Sequence, residues 1–176
     1  LEGERVTTSA AVPTVWQVLL DYLDKQQLRL TTLKRVMIGG SACPPALMRA
    51  FRDLHGVEVG HAWGMTETSP IGTSGALTER ALALDPEGRI EVMRAQGRAL
   101  FGVDIKSVDD DGRRLPHDGQ TPGRRMVRGA NVGNRYYGDE QREILDGEGF
   151  FDTGDVATID AEGYMRITDR AKDLIK

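Results

Sequence analysis

The sequence holds one cysteine, Cys43, among 176 residues. No internal disulfide can form, and no neighbouring His/Cys spacing describes a zinc site. Cys43 reads as a small buried hydrophobe beside a turn, and a reducing, cytoplasmic setting is the simplest expectation. There is no excess of positive charge either. With 23 Lys and Arg against 27 Asp and Glu, the formal net charge is -4, which gives neither nucleic acid nor an anionic membrane surface a basic face to bind. No apolar run reaches the roughly 20 residues of a membrane span, because Gln17, Asp21 and Asp24 interrupt the best stretch. No Ser/His/Asp or Cys/His grouping suggests a protein nucleophile. No signal peptide is visible. The chain opens on Leu1-Glu2-Gly3 and stops at Ile175-Lys176, so it reads as a piece of something longer.

What is present is a mixed-charge chain with 39% hydrophobic residues, enough for one domain or two small subdomains. Arg5 to Ser9 leans to strand. Thr14 is a fair N-cap for a helix from Val15 to about Lys25, whose apolar stripe would be Val15, Val18, Leu19, Tyr22 and Leu23, with Trp16 packing beside it. Lys34 to Ile38 reads as a buried strand running into Gly39-Gly40-Ser41. A helix starting at Pro44 or Pro45 continues to a stop at Gly56, and a second strand covers Val57 to Gly60. Strand, helix, strand implies a parallel sheet with both glycine-containing exits at one edge, where ligands of open sheets collect.

Leu77 to Leu84 and Pro86 to Gln96 lean to helix. After Gly97 the pattern changes to short strands: Val103 to Val108 alternates, Gly123 to Gly129 offers another around Met126 and Val127, and Val156 to Ile159 with Tyr164 to Ile167 makes a hairpin, with acidic, glycine-bearing turns. The expected fold is therefore α/β: a layered α/β subdomain with parallel strands over residues 1–96, followed by a small antiparallel β-barrel-like subdomain over 97–170. Asp109-Asp110-Asp111-Gly112 lacks the spacing and the distant Glu of a calcium loop.

The densest stretch chemically is His61-Ala62-Trp63-Gly64-Met65-Thr66-Glu67-Thr68-Ser69-Pro70. It sets an aromatic plate, a glycine, a hydroxyl and a carboxylate in a turn at the end of a strand. Gly64 lets backbone approach a ligand, Thr66 can donate to a phosphate oxygen, and Glu67 is a hard oxygen donor suited to Mg²⁺. The same letters also describe a helix start capped by Thr66 with Glu67 in its first turn.

This stretch resembles the core signature of the adenylate-forming superfamily, in its fatty-acyl-CoA ligase branch. Gly39-Gly40-Ser41-Ala42 before it, and Asp152-Thr153-Gly154-Asp155 and Thr168-Asp169-Arg170-Ala171-Lys172-Asp173-Leu174 after it, are similar to further motifs of that family in the same order. The resemblance implies ATP-dependent activation of a fatty or related carboxylic acid to an acyl-adenylate, and then transfer to coenzyme A with release of AMP. ATP, Mg²⁺ and coenzyme A would be the small-molecule partners, and a homo-oligomer is compatible with all of this. By the same resemblance, Gly39, Gly40, Ser41 and Ala42 would lie along the adenine and the acyl channel, with His61, Ala62, Trp63 and Gly64 against the base and the adenylate. Thr66 would meet the α-phosphate, Glu67 would hold Mg²⁺, Asp155 and Arg170 would take the ribose or phosphate, and Lys172 would be the hinge, residues 171–176, to a further domain.

Four departures qualify the match. Trp63 stands where Tyr is common, Phe150 stands where Trp is common, and neither the family's phosphate loop nor its late lysine is in the chain. These 176 residues alone are therefore expected to be inactive. The competing readings are an amino-acid adenylation domain and a noncatalytic nucleotide-binding or structural module.

Overall fold

The structure, a computed structural model, describes residues 1–139 and 141–170. They group into two compact units: Leu1–Trp63 with Gly75–Ala95, and Gly64–Ser74 with the described residues from Gln96 onward.

The first unit is α/β, with β1 (Thr8–Ala11), α1 (Pro13–Lys25), β2 (Arg35–Ile38), α2 (Pro45–His55), β3 (Glu58–Gly64, its last residue counted with the second unit), α3 (Glu79–Leu82) and α4 (Pro86–Met93). β1, β2 and β3 run parallel, in a register that sets Ala11 opposite Ile38 and Ile38 opposite His61. Val36 and Ile38 are fully buried, as expected of a strand covered on both faces. α2 begins at a proline and ends at Gly56, and it buries Leu47, Met48 and Phe51 against α1 in one core. Trp16 meets Phe51 edge to face at 5.5 Å, while its indole N–H donates to the Ala11 carbonyl at 3.1 Å. That satisfies the one polar atom of a buried ring. On the surface, Arg49 and Arg52 of α2 both pair with Glu87 of α4.

The α1 stripe is not the expected one. Val15, Val18 and Tyr22 are exposed, whereas Pro13, Trp16, Leu20 and Leu23 are buried. Both sets have helical spacing and lie about 100° apart on the helix, so periodicity alone does not choose between them. The large Trp16 side chain marks the face that packs. Thr14 is not the cap either: Val12 takes the N-cap position and Pro13 the first turn.

The second unit is antiparallel. β4 (Ile71–Ser74) pairs with β5 (Arg98–Ala99), and β6 (Val103–Val108), β7 (Gly123–Gly129), β8 (Phe151–Ile159) and β9 (Met165–Arg170) form a four-stranded sheet in that order. Bulges in β7–β8 and β8–β9 break the ladders and curl the sheet. The β8–β9 hairpin turns over Asp160-Ala161-Glu162-Gly163, where Asp160 Oδ1 accepts from the amides of Glu162 and Tyr164. Phe150 is fully buried, with Lys106 Nζ 4.1 Å and the Arg128 guanidinium 4.5 Å from its ring centre. Asp146 and Glu148 neutralise Lys106 at 3.0 Å each. The α/β class, parallel strands first and a curled antiparallel sheet after, is as expected. Among the described residues no helix is long and apolar enough to cross a membrane.

Phe51 tests the packing of the first unit. Truncation to Ala is expected to cost about 3–5 kcal/mol, and the shape-conserving Phe51→Leu less than half of that, both read from urea-denaturation midpoints.

Candidate functional site

The two glycine-bearing strand exits of the first unit lie side by side because β2 and β3 are adjacent and parallel. Gly39-Gly40-Ser41-Ala42 follows β2. Gly40 has φ +82°, a left-handed backbone that glycine adopts without strain, and a Cβ on Gly39 would sit 3.3 Å from the Ala62 carbonyl. Ser41 and Ala42 are exposed. The expectation that His61 to Gly64 form a turn is corrected: β3 continues through Gly64, and the turn starts at Met65. Along a strand alternate residues share a face, so His61 and Trp63 point one way and Ala62 the other. Trp63 is largely buried.

His61 is completely buried. Its Nε2 lies 3.2 Å from the Ser41 carbonyl, tying the exit of β2 to the end of β3, while Nδ1 has no hydrogen-bond partner among the described residues. Burial pushes the imidazole pKa down, opposed by the backbone carbonyls of Ser41, Met93, Arg94 and Ala95. His61 is thus held neutral as a fastener between the two exits. Cys43 is buried, and burial pushes its thiol pKa up to about 12, which leaves it inert. His55 accepts the Leu30 amide at 3.3 Å, and His117 is exposed.

In the second unit Met65 to Ile71 is a compact turn around the 3-10 segment Thr66–Thr68. Thr68, not Thr66, is the residue that caps it. The buried Thr68 hydroxyl accepts from the Met65 amide at 3.0 Å and lies 2.8 Å from the Pro70 carbonyl. Gly64 has no alternative: a Cβ there would stand 1.8 Å from the Pro70 carbonyl oxygen. The loop after β7 clasps the turn from outside. The Asn131 amide donates to the carbonyls of Thr68 (2.7 Å) and Ile71 (3.1 Å), and the Gly133 amide donates to that of Glu67 (2.7 Å). Thr66 is left exposed, its hydroxyl without a partner among the described residues. Glu67 is half-buried, with Oε1 accepting from the Tyr136 hydroxyl at 2.7 Å.

Asp155 lies within β8, buried, and accepts from the fully buried Arg125 of β7 at 2.5 Å. Arg125 also reaches the Thr153 hydroxyl and the Met165 sulfur. The Thr153 hydroxyl in turn donates to the Arg125 carbonyl and accepts from the Asp155 amide. Burial pulls the guanidinium pKa down, and the Asp155 carboxylate holds it up. Arg170 stands opposite Asp155 in the β8–β9 register. Lys172, the expected hinge, lies outside the described residues.

Among the described residues no three His, Cys, Asp or Glu side chains gather as a metal cage. Mg²⁺ commonly binds through one or two carboxylates together with the phosphates of a substrate. The oxygen donors at Thr66 and Glu67 fit such a role.

This chain belongs to the family of AMP-binding enzymes, whose family model matches residues 1–137. Among its relatives, 3-methylmercaptopropionyl-CoA ligase of Ruegeria lacuscaerulensis is 48% identical over 171 residues, 97% of this chain and 32% of that protein. Medium-chain-fatty-acid–CoA ligase of Ectopseudomonas oleovorans is 45% identical over 176 residues, 100% of this chain and 32% of that protein. The structure is similar to that of O-succinylbenzoate coenzyme A synthetase from Bacillus subtilis in complex with ATP and magnesium ion, with TM-score 0.78 and 28% identity over 98% of this chain and 33% of that one. The chain spans about a third of the length of these relatives.

Sequence reasoning missed Arg125, Asn131, Thr68 and Tyr136. Only Arg125 carries a signal: Gly123, Arg125 and Val127 share one face of an alternating strand, so a charge there demands a buried counter-charge.

Two outcomes follow. Because His61 is neutral when folded and takes a proton near pH 6.5 when unfolded, the unfolded chain binds more protons below that pH, and stability falls as pH falls. The urea midpoint should drop between about pH 7.5 and 5.5, and His61→Gln should flatten the slope, leaving the smaller part due to His55, which burial shifts the same way. Glu87 and Asp118, whose pKa values are pulled down to about 2, lose their contribution only at lower pH. Separately, Arg125→Ala strands a buried carboxylate and should cost about 3–5 kcal/mol, whereas Arg125→Met with Asp155→Leu should recover most of that loss in the same denaturation assay.

Proposed function

We propose that this chain is the adenylate-handling part of an AMP-forming acyl-CoA ligase. The parent protein would act in the cytoplasm on a fatty acid of medium or long chain, or on a related short substituted acid. The observation that carries this reading is the Thr66–Glu67 turn. On a backbone that Thr68, Asn131 and Gly133 hold in place, the Thr66 hydroxyl and Glu67 Oε2 have no partner among the described residues, while Glu67 Oε1 accepts from Tyr136.

In the reaction an oxygen of the substrate carboxylate attacks the α-phosphorus of ATP, and the bond to pyrophosphate breaks. The thiol of coenzyme A then takes the acyl group, and AMP leaves. Anion meets polyanion in the first step, so positioning and charge neutralisation carry the catalysis and no protein nucleophile is required. Mg²⁺, when bound, supplies that neutralisation. Thr66 donates to the α-phosphate, and Glu67 offers an oxygen to the cation. Asp155, paired with Arg125, accepts from ribose hydroxyls, with Arg170 opposite it in the β8–β9 register. Gly39 to Ala42 and His61 to Gly64 supply close-approaching backbone for the adenine, and Lys172 serves as the hinge. Trp63 lacks the phenol of a tyrosine and fills more volume, which favours the short or medium acids. The names of the two ligase relatives above point to the same range.

ATP–pyrophosphate exchange by the full-length protein is the test, with acetate, hexanoate, longer fatty acids, methylthio-substituted propionate and amino acids as substrates. Acid- and Mg²⁺-dependent exchange is expected, and Glu67→Gln should lower kcat/KM by about a hundredfold, the scale for loss of one preorganised electrostatic group. Exchange with amino acids alone, or with no acid at all, overturns the reading.

A further inference from the structure

We propose that Tyr136 is a positioning residue that holds Glu67 to a single free oxygen and so sets which divalent cation the turn accepts. This rests on the reading of Glu67 as a cation ligand given above.

Two tyrosines stand side by side beyond β7, and they behave differently. Tyr137 is fully exposed, whereas Tyr136 folds back and donates its hydroxyl to Glu67 Oε1 at 2.7 Å. The contact closes a set of hydrogen bonds that all run from one loop to one turn: Asn131 to the carbonyls of Thr68 and Ile71, Gly133 to the Glu67 carbonyl, and Tyr136 to the Glu67 carboxylate. The first three fix the Glu67 backbone, and only the fourth reaches its side chain. Glu67 Oε2 has no partner among the described residues. The groups facing the phenol are the Glu67 carboxylate and the more distant Arg142. The carboxylate's hydrogen bond raises the phenol pKa, and Arg142 works weakly against it.

A glutamate loses much rotamer freedom when it is ordered, so an anchored carboxylate binds a cation without having to be organised first. The anchor also restricts the manner of binding. With Oε1 engaged by a hydroxyl, Glu67 presents Oε2 alone and acts as a monodentate ligand. Mg²⁺ takes single carboxylate oxygens in a strict octahedron, whereas Ca²⁺ gains from bidentate carboxylates and higher coordination numbers. Tyr136 therefore biases the turn toward Mg²⁺ by denying Ca²⁺ the second oxygen.

The experiment uses the full-length protein with a non-hydrolysable ATP analogue. Bound Mn²⁺ is followed by electron paramagnetic resonance, with Mg²⁺ and Ca²⁺ titrated in as competitors. In Tyr136→Phe the ratio of Ca²⁺ to Mg²⁺ needed to displace half of the Mn²⁺ should fall about fivefold, the scale of one partly exposed charge-assisted hydrogen bond. Tyr137→Phe should leave that ratio at the wild-type value. A wild-type ratio in Tyr136→Phe, with Mn²⁺ binding weakened in Glu67→Gln, overturns the role of Tyr136 and keeps Glu67 as the ligand. Mn²⁺ binding unchanged in Glu67→Gln overturns both. A readout free of metal and nucleotide is the carbon-13 NMR spectrum of the tyrosine rings at one fixed pH. The carbon-13 shift of the Tyr136 ring should change in Glu67→Gln and stay at the wild-type position in Tyr137→Phe, and no change in Glu67→Gln overturns the contact.

Discussion

The chemistry proposed for the second unit hangs on one buried hydroxyl. Thr68 is fully buried, yet its oxygen accepts from the Met65 amide and lies within hydrogen-bonding distance of the Pro70 carbonyl. A hydroxyl out of water without partners would cost a few kcal/mol, while one that is satisfied fixes the backbone around it. Because Thr68 turns inward, the two residues before it are carried outward, and those are the hydroxyl and the carboxylate that the motif offers to a ligand. Their availability is thus a consequence of Thr68's engagement. The capping role that sequence reading allows for Thr66 passes to its neighbour two residues on, and Thr66 is released for other work.

The buried Arg125–Asp155 pair and the buried His61 follow different physics. Arg125 and Asp155 form an ion pair whose mutual attraction must offset the desolvation of both charges. Its worth lies in what it fixes, since the Thr153 hydroxyl joins both backbones and holds the Asp152–Asp155 stretch in one arrangement. His61 avoids desolvation of a charge by staying neutral, and it accepts one unpartnered nitrogen as the cost. Each group gives up stability at a place where the family motif falls. That is the pattern expected where position matters more than folding free energy.

Elements bounded by strong punctuation were legible in the sequence. α2 runs from a proline to Gly56, β7 is bounded by Gly123 and Gly129, and the β8–β9 hairpin turns on an acidic, glycine-bearing loop. What escaped was whatever long-range contact decides. α1 carries two apolar faces with the same period, and only packing against Phe51 selects the one bearing Trp16. β3 runs on through polar His61 because β2 beside it supplies hydrogen bonds in register as far as Ile38–His61. Asn131 and Tyr136 bond to partners 60 and 69 residues away in the turn they grip, and no local pattern announces a partner at that distance. The motif residues themselves were readable by type, but not the groups that orient them.

Gly64 shows why the ten-residue motif is recognisable at all. The strand His61–Gly64 and the turn that follows have different backbone requirements, and Gly64 is the residue at which the chain leaves one compact unit and enters the other. The reversal brings the Pro70 carbonyl to where any side chain on residue 64 would have to be. That constraint is steric and admits one residue type. The side chains of Thr66 and Glu67 stand under no such steric constraint: Thr66 is exposed, and Glu67 is half-buried with its carboxylate accepting from Tyr136. Gly64 is therefore legible in the motif as a requirement of the backbone, whereas Thr66 and Glu67 are legible only through the chemistry of their side chains.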